Sequence, residues 1–223
     1  MPAFLRSLRI SVVLVVAAIL PVAPSFALDT PLSDQAVREA YFLGQRRDDS
    51  MARLLSRYTQ FLPAPDAGPH IYSVTLLTPF ALLVQQSSQL SGSSAQDAEK
   101  KHHGDDEIVA VSIEVLLTPS YGAAIPTPTN SRSGSPVGYQ FRNPDFWKDF
   151  KIRVFDGEKN LAFTGFAGEP RYACAAKGGC DLFGANIRFD LPANLFTSNS
   201  ATIEITPPVG DQVDVDFDLA SLR

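Results

Sequence analysis

The chain is short of the side chains that most readily do chemistry. Its histidines are His70, His102 and His103, and its cysteines are Cys174 and Cys180. The cysteines flank Ala175-Ala176-Lys177-Gly178-Gly179, a segment small and flexible enough to close a ring. In an oxidising compartment such a pair forms a disulfide, worth about 2 kcal/mol through loop closure. Zinc would need further Cys or His ligands close by, and the spacing departs from that of redox-active Cys-x-x-Cys pairs. A structural Cys174–Cys180 bridge is therefore expected.

His102-His103 is followed by Asp105, Asp106 and Glu107, the one place where imidazole and carboxylate gather. Adjacent residues face opposite ways on a strand and diverge by about 100° on a helix. Neither geometry aims both rings at one ion, so a solvated loop is expected. Asp214, Asp216 and Asp218 alternate with Val213, Val215, Phe217 and Leu219. On a strand the three carboxylates share a face at about 7 Å spacing, too far apart to hold one Ca²⁺ directly. With loop oxygens, Asp211 nearby, they would be candidates for a calcium site. The pleat alone explains them as the wet face of an edge strand whose charge discourages edge-to-edge pairing. Lys151 and Arg153 are candidate partners across the sheet. No metal and no cofactor is assigned.

Nucleophilic catalysis finds little support. Ser135 lies in Ser133-Gly134-Ser135-Pro136-Val137-Gly138, which lacks the Gly-x-Ser-x-Gly spacing. Pro136 also removes the N–H that would follow the nucleophile in an oxyanion hole. A glycosidase needs two placed carboxylates, and among 24 acidic residues their mere presence decides nothing. Glycine-rich phosphate loops are absent from the sequence. No catalytic residue is assigned. Phe141, Phe146 and Trp147, with Phe150 just beyond, surround Pro144. Exposed, this cluster would be a binding patch for sugar, peptide or protein; buried, it would be a core plug.

The elements that must carry these groups are mostly strands. Ile71 to Leu77 is β-branched and aromatic, a second apolar run spans Pro79 to Val84, and Ile108 to Leu117 alternates most clearly. Phe150 to Phe155 and Leu161 to Phe166 read as a hairpin across the five residues Asp156 to Asn160. Ile187 to Leu191, Thr202 to Thr206 and Val213 to Leu219 alternate as well. Leu76-Leu77-Thr78-Pro79 recurs as Leu116-Leu117-Thr118-Pro119, two strands ending alike at a proline. Ser91 to Asp106 is a polar insert that either forms a short self-capped helix from Ser94 or remains a loop. Ser120 to Asn143 reads as irregular.

Two helices precede the strands. One starts at Ser33 or Asp34, with Val37, Ala40, Tyr41 and Leu43 on its stripe; the other starts at Asp49 or Ser50 and carries Met51, Leu54, Leu55, Tyr58, Phe61 and Leu62. Both are too short to stand alone, so they must dock, and Leu55 is expected to be buried. Before them come a basic pair, Arg6 and Arg9, an apolar run from Ile10 to Leu20, and Ser25-Phe26-Ala27. That order predicts a signal peptide cut after Ala27. Its removal takes 27 of the 223 residues and leaves 196. It removes two arginines and no acids, so the net charge moves from −5 to −7. An acidic mature chain argues against nucleic acid as partner, and no later segment is apolar for long enough to be a transmembrane helix.

Glu39-Ala40-Tyr41-Phe42-Leu43-Gly44, Leu76-Leu77-Thr78-Pro79-Phe80 and Ser94-Ala95-Gln96-Asp97-Ala98-Glu99 together resemble a group of exported bacterial proteins with no assigned activity. The resemblance covers mainly residues 33 to 120 and implies a bacterial origin and export. The resulting expectation is a mainly β chain: a signal peptide (1–27), a short helical segment (28–66) and an antiparallel β-sandwich, Ig-like or C2-like (67–223). A barrel is the alternative. The functional expectation is a non-enzymatic binding or assembly protein of the cell envelope, periplasmic or extracellular, with an unknown protein or glycan partner. The alternative is an exported hydrolase acting on polysaccharide or peptide.

Overall fold

Apolar residues at every second position drive the chain into eleven strands among the described residues. The computed structural model describes residues 28–46, 48–90, 92–127, 138–176 and 178–223. The predicted signal peptide and Ser135 lie outside them.

The elements in chain order are α1 (Asp34–Arg46), α2 (Asp49–Ser56), β1 (Thr59–Phe61), β2 (His70–Leu77), α3 (Pro79–Gln89), α4 (Ala95–His102), β3 (Ile108–Leu116), β4 (Ala124–Thr127) and β5 (Gly138–Phe141). They continue as β6 (Lys151–Asp156), β7 (Lys159–Leu161), β8 (Ala167–Cys174), β9 (Cys180–Pro192), β10 (Ser200–Thr206) and β11 (Val213–Asp218). The strands form a five-stranded sheet β1-β2-β3-β9-β8, a four-stranded sheet β11-β10-β6-β7 and a two-stranded ribbon β4-β5. Every pairing is antiparallel. The chain is mainly β, and the two larger sheets pack as a sandwich.

The register shows why. Val109, Val111, Ile113 and Val115 of β3 pair with Leu191, Phe189, Ile187 and Ala185 of β9, and all eight are buried on one face. Ala201, Ile203 and Ile205 of β10 and Val154 of β6 come from the other sheet and join the same core cluster. The Gln60 side chain donates to the Asp216 carbonyl, tying β1 to β11 at one pair of sheet edges.

The helices make a second, smaller core. Ala36, Val37, Ala40 and Tyr41 of α1 bury against Phe80 and Val84 of α3 and Ala98 of α4. Arg223 couples this layer to the sandwich: its backbone carbonyl accepts from Tyr58 and Thr78, its guanidinium pairs with Glu39, and it lies 4.6 Å from the Phe80 ring centroid. No helix among the described residues is long and apolar enough to cross a membrane.

Several local expectations are corrected. Pro79 to Val84 is the first part of helix α3, started by the Thr78 hydroxyl, which accepts from Ala81 N at 3.3 Å, and by Pro79, whose fixed φ suits a first turn. The second helix stops at Ser56. Tyr58 enters the core separately, and Phe61 lies on β1. Leu55 is half-buried, packed against both cores. The β6–β7 connection is a two-residue turn in which Gly157 takes φ 57°, and β7 ends at Leu161. Of the two alternatives for the polar insert, the self-capped helix forms: α4 starts from a reciprocal capping box between Ser94 and Asp97. Within the stretch expected to be irregular lies the β4–β5 ribbon.

Candidate functional site

The disulfide forms as expected: Cys174 and Cys180 are bonded, with Cα atoms 4.0 Å apart, and they pair across the end of the β8–β9 hairpin. Every described residue from Tyr172 to Asp181 is exposed, so the bridge fastens a projecting tip rather than the core.

The aromatic cluster is divided by the fold. Asn143 accepts through Oδ1 from Asp145 N at 3.0 Å, and Phe146 N donates to Asn143 O at 3.0 Å. This turn starts a 3-10 segment, Phe146–Asp149, that drives Phe146 and Trp147 into the sandwich core. Phe146 meets Tyr121 and Phe150 edge-on, and Trp147 meets Phe166 at 6.0 Å. A Cβ on Gly168 would lie 2.2 Å from the indole, so β8 can only seat Trp147 with glycine there. Phe146 and Trp147 are thus the plug, while Phe141 is 83% exposed.

Phe141 belongs to the ribbon. Register pairs it with Ala124 and pairs Tyr139 with Pro126. Paired residues share a face, so Ala124, Pro126, Tyr139 and Phe141 make one apolar side, and all four are exposed. Tyr139 is 69% exposed. Among the described residues neither ring packs on another aromatic, in contrast to exposed Phe61, which stacks edge-on against Tyr72.

The root of the ribbon is held firmly. Arg142 donates from its backbone N–H to Ala123 O at 2.7 Å and from Nε to Gly122 O at 2.9 Å, with its guanidinium 3.4 Å from the centre of the Tyr121 ring. Burial pushes the Tyr121 phenol above its usual range; the Arg142 charge opposes this and Asp149 adds to it. Between the ribbon and the 3-10 segment lies a cleft of about 400 Å³ lined by Gln140, Phe141, Asn143 and Asp149, among others.

The His/acid cluster stands at a second cleft, of about 650 Å³. His102 ends α4 and is half-buried, so the solvated-loop expectation fails for it. Its Nε2 lies 2.8 Å from Glu107 Oε1, while His103 turns away to Asp34 at 3.0 Å. The rings diverge, as the helical spacing requires. Glu107 also accepts from Leu32 N at 2.6 Å and from the Thr30 hydroxyl, so this carboxylate pins the segment before α1 to the start of β3. Among the described residues the only hydroxyl lining the cleft is that of Thr30, which donates to Glu107.

Asp214, Asp216 and Asp218 are exposed on the outer face of β11. Asp216 accepts from Thr202 at 2.6 Å and Asp214 from Gln212 at 2.7 Å. Arg153 does not reach them: β10 intervenes, and Arg153 pairs with Glu204 on it. Among the described residues no group of three or more His, Cys, Asp or Glu side chains could hold a metal ion.

The exposed Tyr139 went unnoticed in the sequence because its strand is too short for periodicity to register; Tyr139-x-Phe141 is the signal that could have found it. No family model matches the chain, and no curated protein matches it.

Proposed function

We propose that the protein is an exported, non-enzymatic binding module of the cell envelope that takes a glycan or protein partner on the β4–β5 ribbon. One observation carries this reading: the two most exposed aromatic rings among the described residues, Tyr139 and Phe141, share one face of a projecting ribbon whose root is locked into the core. Exposed, co-facial apolar side chains on a rigid support mark contact surfaces. The surface disulfide and the predicted signal peptide support export. The test is co-sedimentation of the mature protein with the envelope fraction of its native cells. A Tyr139→Ser/Phe141→Ser variant should keep its melting temperature and lose most of the association; undiminished association would refute the reading.

A second reading, an exported hydrolase, is favoured by the His102–Glu107 pair at the larger cleft. There His102 would activate a water, beside the carboxylates of Asp105 and Asp106 that line the same cleft. Depolymerisation of envelope polysaccharide or peptide that is lost in His102→Gln would support it. Besides His102, Glu107 already has two donors, Thr30 and Leu32, that hold the N-terminal segment, which makes the structural role the stronger account.

A further inference from the structure

We infer that the open end of the sandwich, between the β1–β2 and β10–β11 connections, is a second binding site, and that it takes a peptide segment of a partner protein in which apolar side chains alternate with Lys or Arg. The site is separate from the ribbon and stands without the reading given above. Its cleft, about 650 Å³, falls within the range of small-ligand sites, roughly 300–1,000 Å³.

The floor of the cleft is the core running out into solvent. Val213 pairs with buried Ile205 and so lies on the core face of β11. Ile71 pairs with buried Val115 on the core face of the opposite sheet. Both line the cleft, with buried Pro207 beside them. A side chain entering here extends the dry space between the sheets. The walls are set before any ligand arrives. Pro63, Pro65 and Pro69 fix φ along the β1–β2 connection. Gly68, at φ 89°, presses on the other connection, where a Cβ would stand 2.3 Å from Val209 O. Its N–H donates to Ser120 Oγ at 3.1 Å, and its carbonyl accepts from the Thr118 hydroxyl at 2.6 Å. A preformed cleft spares the ordering cost of binding.

Charge selects the occupant. The charged residues in the lining are Asp66, from one connection, and Asp211, from the other; no Lys, Arg or His joins them. Both are exposed, and neither forms an ion pair among the described residues. Asp214 takes no part, since the pleat turns it to the outer face of β11, opposite Val213. An anionic ligand would meet two carboxylates and no counter-charge, and a bare metal ion would shed its water against an apolar floor. An extended peptide meets both demands, because its successive side chains point opposite ways. The apolar ones reach the floor and the basic ones stay at the mouth with Asp66 and Asp211. The Gln212 amide at the rim gives one N–H to Asp214 and accepts from Thr206, which leaves a second N–H and a second lone pair for the peptide backbone.

Fluorescence anisotropy of the mature protein with end-blocked hexapeptides tests the inference. One peptide alternates leucine with lysine, one leucine with glutamate and one serine with lysine. The leucine–lysine peptide should bind saturably, and the other two at least tenfold more weakly. Asp66→Asn/Asp211→Asn should weaken its binding tenfold or more and flatten the salt dependence. Val209→Ser, at a half-exposed wall residue, should weaken it with the melting temperature unchanged. Tyr139→Ser/Phe141→Ser should leave it intact. No binding of the leucine–lysine peptide, equal binding of either control, indifference to the Asp66/Asp211 pair, or loss in the ribbon variant would overturn the inference. Equal affinity for n-hexylammonium would hand the cleft to a small organic cation, and self-association abolished by the Asp66/Asp211 pair would hand it to a second copy; either result would overturn the inference too.

Discussion

Asp156→Asn should cost the fold about 2–4 kcal/mol at neutral pH, and that cost should disappear in acid. Asp156 closes β6 and is only 2% exposed. One carboxylate oxygen accepts from Thr197 N at 3.0 Å and Thr197 Oγ1 at 2.8 Å; the other accepts from Ser198 N at 2.8 Å. These bonds anchor the loop that leads into β10. An Asn of the same shape keeps one acceptor oxygen and turns an NH₂ toward the remaining donor. A stranded donor costs about 1–3 kcal/mol, and each surviving bond loses its charge assistance, about 1 kcal/mol. Burial alone would raise the Asp156 pKa, but the backbone and side-chain bonds from Thr197 and Ser198 outweigh it and hold the carboxyl below the usual range. A carboxylate depressed in the folded state stabilises fully above its unfolded pKa, about 3.9, and loses that contribution as pH falls through the lower folded value. Urea unfolding of parent and variant between pH 7 and pH 2 reads this directly. The gap should be constant near neutrality and narrow below about pH 4. Equal stability at pH 7, or a gap unchanged at pH 2, would refute the reasoning.

Other perturbations follow from the same packing. Gly168→Ala drives a methyl into the Trp147 ring and should cost about 1–3 kcal/mol in chemical denaturation, with a changed tryptophan emission. The Cys174→Ser/Cys180→Ser pair should lose no more than about 2 kcal/mol, because only a short exposed loop is released; hydrogen exchange should quicken at the β8–β9 tip and not in β3. Glu107→Ala removes the acceptor for Thr30, Leu32 and His102. It should speed exchange and proteolysis across residues 28–34 first, with a stability loss of about 1–3 kcal/mol.

The sandwich was readable wherever one face of a strand is dry. The Ile108–Leu117 run, the Val213–Leu219 run and the strand at Thr202 all alternate because each has one buried side, and all three formed. The run after Pro79 is buried almost all round, so no period distinguished strand from helix. The Thr78-Pro79 cap was the available signal and went unused. Its echo at Thr118-Pro119 works alike: the Thr118 hydroxyl accepts from Tyr121 N at 3.1 Å, as the Thr78 hydroxyl does from Ala81 N, but only a tight turn follows. The stripe through Tyr58, Phe61 and Leu62 has helical spacing by coincidence, since α2 ends at Ser56 and Thr59–Phe61 pairs with β2. Of the site, the aromatic residue types were visible. Which of Phe141, Phe146 and Trp147 turns inward depended on partners distant in sequence, Tyr121 against Phe146 and Gly168 beneath Trp147.

The central claim is that the ribbon face is the contact surface, and photo-cross-linking from single positions in the native cells tests it most directly. A photoreactive phenylalanine at position 141 should give a discrete higher-mass adduct. The same group at position 214, on the exposed acidic face of β11, should give none. An adduct from position 214 with none from position 141 would contradict the account.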